Sequence, residues 1–131
     1  MSNGHVLVID DDVFIRKFAE RVLTKNDYQA TVCDNGESGV EKYKEIGATV
    51  DLVICDMIMP GIGGREVFKR IRAINPAAPL LLVSGFSVEE DVNSCLREGA
   101  TGYLPKPYDM ASLLSAVKAH IYRKHDDPHA P

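Results

Sequence analysis

The sequence predicts a doubly wound α/β domain whose parallel strands are joined by right-handed helical crossovers. Three observations point to it. The runs Val6–Ile9, Leu52–Cys55 and Leu80–Val83 are continuously apolar, the pattern of strands buried on both faces. Between them, apolar residues recur at helical spacing. Polar residues able to carry chemistry stand at the ends of these runs, at Asp10, Asp56 and Ser84.

Each element follows in order. Val6-Leu7-Val8-Ile9 runs into Asp10-Asp11-Asp12 and suits a central strand. From Val13 to Lys25 the residues Phe14, Phe18, Ala19, Val22 and Leu23 form an apolar stripe, with Asp12 as N-cap and Asn26 near the stop. Tyr28 to Cys33 alternates as a second strand. Asn35-Gly36 then opens a helix with Val40, Tyr43 and Ile46 on its apolar side and Gly47 as its stop.

Leu52–Cys55 is the third strand, ended by Asp56 and followed by the loop Met57 to Gly64. Arg65 to Ile74 restores helical spacing through Val67, Phe68, Ile71 and Ile74, and Asn75-Pro76 ends it because the residue before proline avoids helical geometry. Leu80–Val83 is the fourth strand and stops at Ser84-Gly85. Val88, Val92, Cys95 and Leu96 mark a fourth helix closed by Gly99. Gly102-Tyr103-Leu104 is a short fifth strand, and Pro105, which cannot donate to a ladder, places it at a sheet edge. Asp109 caps a final helix from about Met110 to Arg123 that buries Leu113, Leu114, Val117 and Ile121; the residues from His125 onward are expected to be loose.

A chain of 131 residues has room for one domain. Its net charge of −4 argues against a general nucleic-acid binder, which needs clustered Lys and Arg to neutralise phosphates. The apolar runs are too short to span a bilayer and Met1 to Gly4 has no basic signal-peptide head, so membrane insertion is not expected and the chain reads as cytoplasmic. Cys33, Cys55 and Cys95 are odd in number and widely spaced, which suits free thiols rather than disulfides or a zinc site. The histidines show no metal-ligand spacing within a stable element; His125, Asp126, Asp127 and His129 fall in the expected loose tail.

In a parallel sheet of this kind, ligands sit beyond the carboxyl ends of the strands. Asp10 and Asp11, Asp56, Ser84 and Lys106 follow strands one, three, four and five, so they should meet on one rim. Carboxylates gathered there repel each other by about 4 kcal/mol per pair at 4 Å and intermediate dielectric. A hard divalent cation with oxygen ligands offsets that repulsion, and Mg²⁺ suits two or three carboxylates plus a phosphoryl oxygen. Lys106 adds further positive charge. A carboxylate beside a cation and an ammonium group is a competent nucleophile toward phosphorus, so Asp56 becomes a candidate for an aspartyl phosphate, with the Ser84 hydroxyl a candidate donor to it.

The segments Val6-Leu7-Val8-Ile9-Asp10-Asp11-Asp12, Asp56-Met57-Ile58-Met59-Pro60-Gly61, Ser84-Gly85 and Tyr103-Leu104-Pro105-Lys106-Pro107 resemble receiver domains of two-component response regulators over about residues 4–124. The resemblance implies a flavodoxin-like (βα)5 fold with five parallel strands in the order 2-1-3-4-5. It implies that Asp56 accepts phosphate from a histidine kinase or a histidine phosphotransfer protein. It further implies that Asp10, Asp11, Asp56 and the backbone carbonyl of Ile58 hold Mg²⁺, with Mn²⁺ a possible substitute. Lys106 would pair with the phosphoryl group and precede a cis peptide to Pro107, while Ser84 and Tyr103 would act as switch residues on a helix 4, strand 5, helix 5 surface. The run Met59 to Glu66 with Ser84-Gly85-Phe86 is similar to receivers attached to hybrid sensor histidine kinases.

Two departures bear on phosphate lifetime. Ile58, where some receivers carry an amide or acid able to position water, cannot do so, and Phe86 is bulky and apolar. Both predict a drier acceptor and slow phosphate loss. Gly63 replaces an acid frequent in that loop, and Ser84 keeps the hydroxyl of the commoner Thr. Two rival readings are distinct in kind. Asp10-x-Asp12 with Ser84 and Lys106 partly resembles haloacid-dehalogenase-type phosphatases, which would make Asp10 the nucleophile. Against it stand Phe14 in the motif, no late acidic pair at a strand end, no cap domain, and an unexplained Asp56 loop. The other rival is a receiver-like interaction module that takes no phosphate.

Overall fold

The computed structural model describes residues 2–85 and 89–121. Five strands, β1 (His5–Ile9), β2 (Gln29–Cys33), β3 (Leu52–Asp56), β4 (Leu80–Ser84) and β5 (Gly102–Pro105), form one parallel sheet in the order 2-1-3-4-5. Helices α1 (Val13–Lys25), α2 (Gly36–Ile46), α3 (Gly64–Ile74), α4 (Glu89–Arg97) and α5 (Met110–His120) alternate with them. The fold class, strand number and strand order are those the sequence implied.

Strand residues alternate between two cores, which is why the central strands are apolar throughout. Leu7, Ile9, Val53, Cys55, Leu80 and Leu82 meet Val40, Tyr43, Phe68, Ile71 and Cys95 on one face. Val6, Val8, Leu52, Ile54, Leu81 and Val83 meet Ala19, Leu23, Leu113 and Val117 on the other. Each residue of β1, β3 and β4 is buried. Cys33, Cys55 and Cys95 are free and buried. Pro105 lies opposite Ser84 on β5, the sheet edge where a missing N–H leaves no neighbour unpaired. Among the described residues no helix is long and apolar enough to cross a membrane.

Local capping accounts for most boundaries. Asp12 Oδ1 accepts the N–H groups of Phe14 and Ile15, and Asp109 Oδ1 accepts that of Ser112. At the end of α1 the left-handed residue is Asp27 (φ 67°), one past Asn26, and Tyr28 N–H returns to the Leu23 carbonyl. Gly47 does not stop α2 by left-handed geometry. Its φ is −52°, and the chain continues into a 3₁₀ turn over Gly47–Thr49. Glycine fits there because a Cβ would stand 3.0 Å from the Tyr43 ring. The last helix ends at His120, short of the expected Arg123, with Ile121 extended. Val88 and the tail from His125 lie outside the described residues.

At the sheet end opposite the acidic rim, His5 is buried between two threonines. The Thr49 hydroxyl donates to the Ile46 carbonyl, so its oxygen is free to accept from His5 Nδ1–H at 3.2 Å, and His5 Nε2 accepts from the Thr31 hydroxyl at 2.7 Å. Burial lowers the ring's proton affinity below its ordinary value of 6.5, against the opposing pull of Asp51 and the Thr49 contact. The folded state therefore resists a proton that the unfolded chain accepts. Stability linked to His5 is complete above pH 6.5 and declines as pH falls below it. Urea unfolding at pH 7 and 5.5 should show a drop in the midpoint that is smaller in His5→Gln; equal drops in both proteins would exclude this role.

Candidate functional site at the carboxyl edge of the sheet

Parallel strands put all their carboxyl ends on one edge. Asp10 follows β1, Asp56 is the last residue of β3, Ser84 the last of β4, and Lys106 follows β5. Carboxylate oxygens of Asp10, Asp11 and Asp56 lie within 4.8 Å of one another. Asp10 and Asp56 are buried and Asp11 is exposed, so the cluster opens to solvent on one side. Lys106 Nζ donates to Asp10 Oδ2 at 2.9 Å and to Asp56 Oδ2 at 3.1 Å. Asp10 Oδ1 accepts the Asp12 N–H at 2.9 Å, which leaves Asp12 itself to cap α1.

Three carboxylates and one ammonium leave a formal excess of two negative charges, the amount one divalent cation neutralises. All-oxygen donors with one open side suit a hard cation that retains waters. The residues present therefore fit such an ion. The electrostatic load appears in Asp56, whose acidity is weakened by burial first and by the Asp10 charge second, against the bond from Lys106. Lys106 shows the reciprocal effect. Burial works against its charge, but the bonds to Asp10 and Asp56 prevail and hold its proton more tightly than usual.

Residues 6–118 match the family described as response regulator receiver domains. The chain belongs to that family. Relatives include the chemotaxis protein CheY of Treponema pallidum, 35% identical over 86% of this chain and 78% of that protein. Another is the transcriptional regulatory protein YkoG of Bacillus subtilis, 30% identical over 92% of this chain and 52% of that protein. The receiver thus spans about half of that regulator, and only 28% of the regulator ZraR of Escherichia coli. Among solved structures, a receiver domain protein from Clostridium thermocellum superposes with a TM-score of 0.85 at 26% identity, covering 88% of this chain and 92% of that one. The CheY of a CheX-CheY-BeF₃-Mg²⁺ complex from Borrelia burgdorferi gives 0.84 at 29% identity, covering 90% and 89%. Membership displaces the dehalogenase-type phosphatase reading of Asp10.

The receiver's remaining predicted residues lie near the cluster without joining it. Ser84 is buried, and its hydroxyl donates to the Gly85 carbonyl at 2.9 Å rather than toward Asp56. The Ser84 carbonyl accepts two donors, the Lys106 N–H at 2.9 Å and the Tyr103 hydroxyl at 2.9 Å. One backbone oxygen thereby ties the β5 aromatic to the residue that carries the ammonium. Tyr103 is 37% exposed. The Lys106–Pro107 peptide is cis. Ile58 points outward, 56% exposed, and its N–H reaches Asp56 Oδ1 at 3.4 Å. Phe86 lies outside the described residues.

Three neighbours were not legible in the sequence. Arg16 Nη1 donates to the Asp10 carbonyl at 2.8 Å and steadies the β1–α1 turn from within α1. Tyr108 is packed against Phe18, ring centroids 6.1 Å apart, and its hydroxyl is made much less acidic by burial and by the charges of Asp10 and Asp56. Phe14 is 79% exposed, so it leaves the helix stripe in which its spacing placed it. With Ile15, Phe18, Pro107 and Tyr108 it lines an apolar groove beside Lys106.

Proposed function

We propose that this receiver accepts a phosphoryl group from the phosphohistidine of a histidine kinase or a histidine phosphotransfer protein onto Asp56, as a signalling switch rather than a turnover enzyme. The observation that carries this reading is Lys106 Nζ bonded at once to Asp56 and Asp10 within a three-carboxylate cluster. Asp10, Asp11, Asp56 and the Ile58 carbonyl would hold Mg²⁺, or Mn²⁺ in its place. When bound, the ion supplies charge neutralisation at the phosphoryl oxygens.

The chain's own groups do the rest. A carboxylate oxygen of Asp56 forms the new bond to phosphorus as the phosphorus–nitrogen bond to the donor's imidazole breaks, and the electron pair leaves with that ring. Lys106 then holds the phosphoryl oxygens by a charge-assisted bond. The Ser84 hydroxyl, rotating away from the Gly85 carbonyl, gains an acceptor that did not exist before transfer. Because the Ser84 carbonyl anchors the Tyr103 hydroxyl, a shift at Ser84 is felt at Tyr103 and on the surface of α4, β5 and α5. The exposed groove headed by Phe14 adjoins Lys106 and offers an apolar seat for the phosphodonor. A unit spanning residues 4–124, a cytoplasmic location, and a phosphorelay that includes a hybrid kinase belong to the same reading.

Incubation with acetyl phosphate and Mg²⁺, borohydride trapping and mass spectrometry test it. Label on Asp56 is the expected result. Label on Asp10 would point to the phosphatase chemistry, and no label would favour the non-phosphorylated interaction module.

Phosphate lifetime follows from Ile58. Its exposed aliphatic side chain at the rim cannot orient an attacking water. Ile58→Asn should shorten the half-life of the isolated phosphoprotein by roughly tenfold, since a positioned polar group assists such proton transfers. A wild-type half-life of seconds, or no change in the variant, would contradict this account.

A further inference from the structure

We propose that Glu37 is a positioning residue whose carboxylate, reaching from the first turn of α2, latches the loop between β3 and α3 and so fixes the Ile58 carbonyl for the divalent cation. The inference rests on the cation-dependent reading of the site given above.

The loop from Met57 to Gly63 has firm ends and a loose middle. Met57 and Met59 are buried in the core shared with α3, and Gly64 N–H closes back onto the Met57 carbonyl at 2.9 Å. Between these anchors Ile58, Pro60 and Gly61 face solvent. The Ile58 N–H has only a long 3.4 Å bond to Asp56 Oδ1. Beyond that bond from the adjoining strand, a side-chain hydrogen bond reaches this loop from α2, with Glu37 Oε1 accepting the Ile62 N–H at 2.9 Å.

The surroundings are shaped around that bond. Gly61 has φ +79°, and a Cβ there would stand 2.5 Å from Glu37 Oε1, so the carboxylate lies against bare backbone. Ile62 in turn packs on Gly36, where a Cβ would meet its Cγ1 at 2.6 Å. Two glycines on facing segments therefore let α2 and the loop approach closely enough for the latch to form. The bond holds the Glu37 carboxyl below its ordinary range, the Ile62 N–H being the first cause. A cation site gains affinity when its ligands are held in place before binding, and the latch adds to the hold that the buried Met57 and Met59 give the backbone on either side of Ile58.

A carboxylate in the first turn also favours its helix through the dipole, and it adds to the field that attracts cations. Side-chain length separates these roles from the latch. Glu37→Asp keeps the charge but is one methylene shorter and cannot reach Ile62, whereas Glu37→Gln keeps the reach and an accepting oxygen but loses the charge. Mg²⁺ binding by calorimetry should weaken about tenfold in Glu37→Ala and in Glu37→Asp, and stay within about twofold of wild type in Glu37→Gln. The labelling rate with acetyl phosphate should fall at limiting Mg²⁺ yet recover at saturating Mg²⁺, and the Ile62 amide should exchange faster in the Ala and Asp proteins. The opposite order, with Asp like wild type and Gln weakened, overturns the latch in favour of simple charge. Wild-type Mg²⁺ affinity in all three variants overturns the latch and leaves the proposed function standing; a wild-type protein that binds no Mg²⁺ overturns both.

Discussion

Asp56→Asn is expected to lose phosphoryl incorporation from acetyl phosphate by at least about a thousandfold, because an amide has no anionic oxygen to attack phosphorus and forms no stable acyl phosphate. The fold should persist, since the amide is nearly isosteric and Lys106 keeps its 2.9 Å bond to Asp10. Stability should in fact rise at neutral pH. Asp56 has its titration raised above the ordinary 3.8 by burial and by Asp10, so the folded state binds this proton more readily than the unfolded chain does. The linked stability is present below the ordinary value and is lost as pH rises through the folded one. At pH 7 the ionised carboxylate is thus a net burden on the metal-free fold, and the neutral amide removes it. Intact-protein mass spectrometry reads the first effect and thermal melting without Mg²⁺ the second. Incorporation that persists at the wild-type rate would show that Asp56 is not the acceptor.

The fold was legible because its signals are local and repeated. Continuous apolar strands, Asp12 and Asp109 as caps, Asn75-Pro76 as a stop and Pro105 at an edge each have one dominant physical cause, and the structure realises each. Spacing failed where a residue had two ways to satisfy the same pattern. Phe14 has helical spacing with Phe18, but it sits in the first turn of α1, exposed, and lines the groove beside Lys106 rather than the core. Gly47 does end α2 as its C-cap, but in right-handed geometry, where the missing Cβ makes room for a tyrosine ring.

At the site, the positions of Asp10, Asp11, Asp56 and Lys106 were legible because strand ends in a parallel sheet share an edge, whatever the side chains do. Contacts that depend on tertiary approach were not. Glu37 and Ile62 are 25 residues apart and meet only because Gly36 and Gly61 remove two side chains, a coincidence no single-sequence period reports. The Ser84 hydroxyl, a candidate donor to a phosphoryl group formed at Asp56, is bonded to Gly85 in the unphosphorylated chain, a partner the sequence does not specify because a hydroxyl rotates to whatever acceptor is present.

Lys106→Ala should make the receiver's stability depend on Mg²⁺. In the wild type the ammonium lies between two buried carboxylates, with 20% of its side chain exposed against 4% for Asp10 and 7% for Asp56. Removing it strands both negative charges, a change of the kind that costs about 3 kcal/mol when a buried pair loses one partner. A divalent ion on the same oxygens restores about 2.7 kcal/mol at a hundredfold excess over its dissociation constant. Because Lys106 and the ion neutralise the same two carboxylates, the variant should bind Mg²⁺ about tenfold more tightly than wild type, a gain of roughly 1.4 kcal/mol. It should nonetheless be labelled about a hundredfold more slowly at saturating Mg²⁺, since the charge that meets the phosphoryl group in the transition state is gone. Acid should shrink the stability defect: as pH falls through the raised titration of Asp56, one of the two stranded charges is neutralised by a proton instead. Melting curves with and without Mg²⁺ at pH 7 and pH 4.5, with calorimetric Mg²⁺ titration, read all of these effects. Unchanged or weaker Mg²⁺ binding in the variant would mean that ammonium and cation do not compete, and that Lys106 acts on the phosphoryl group alone.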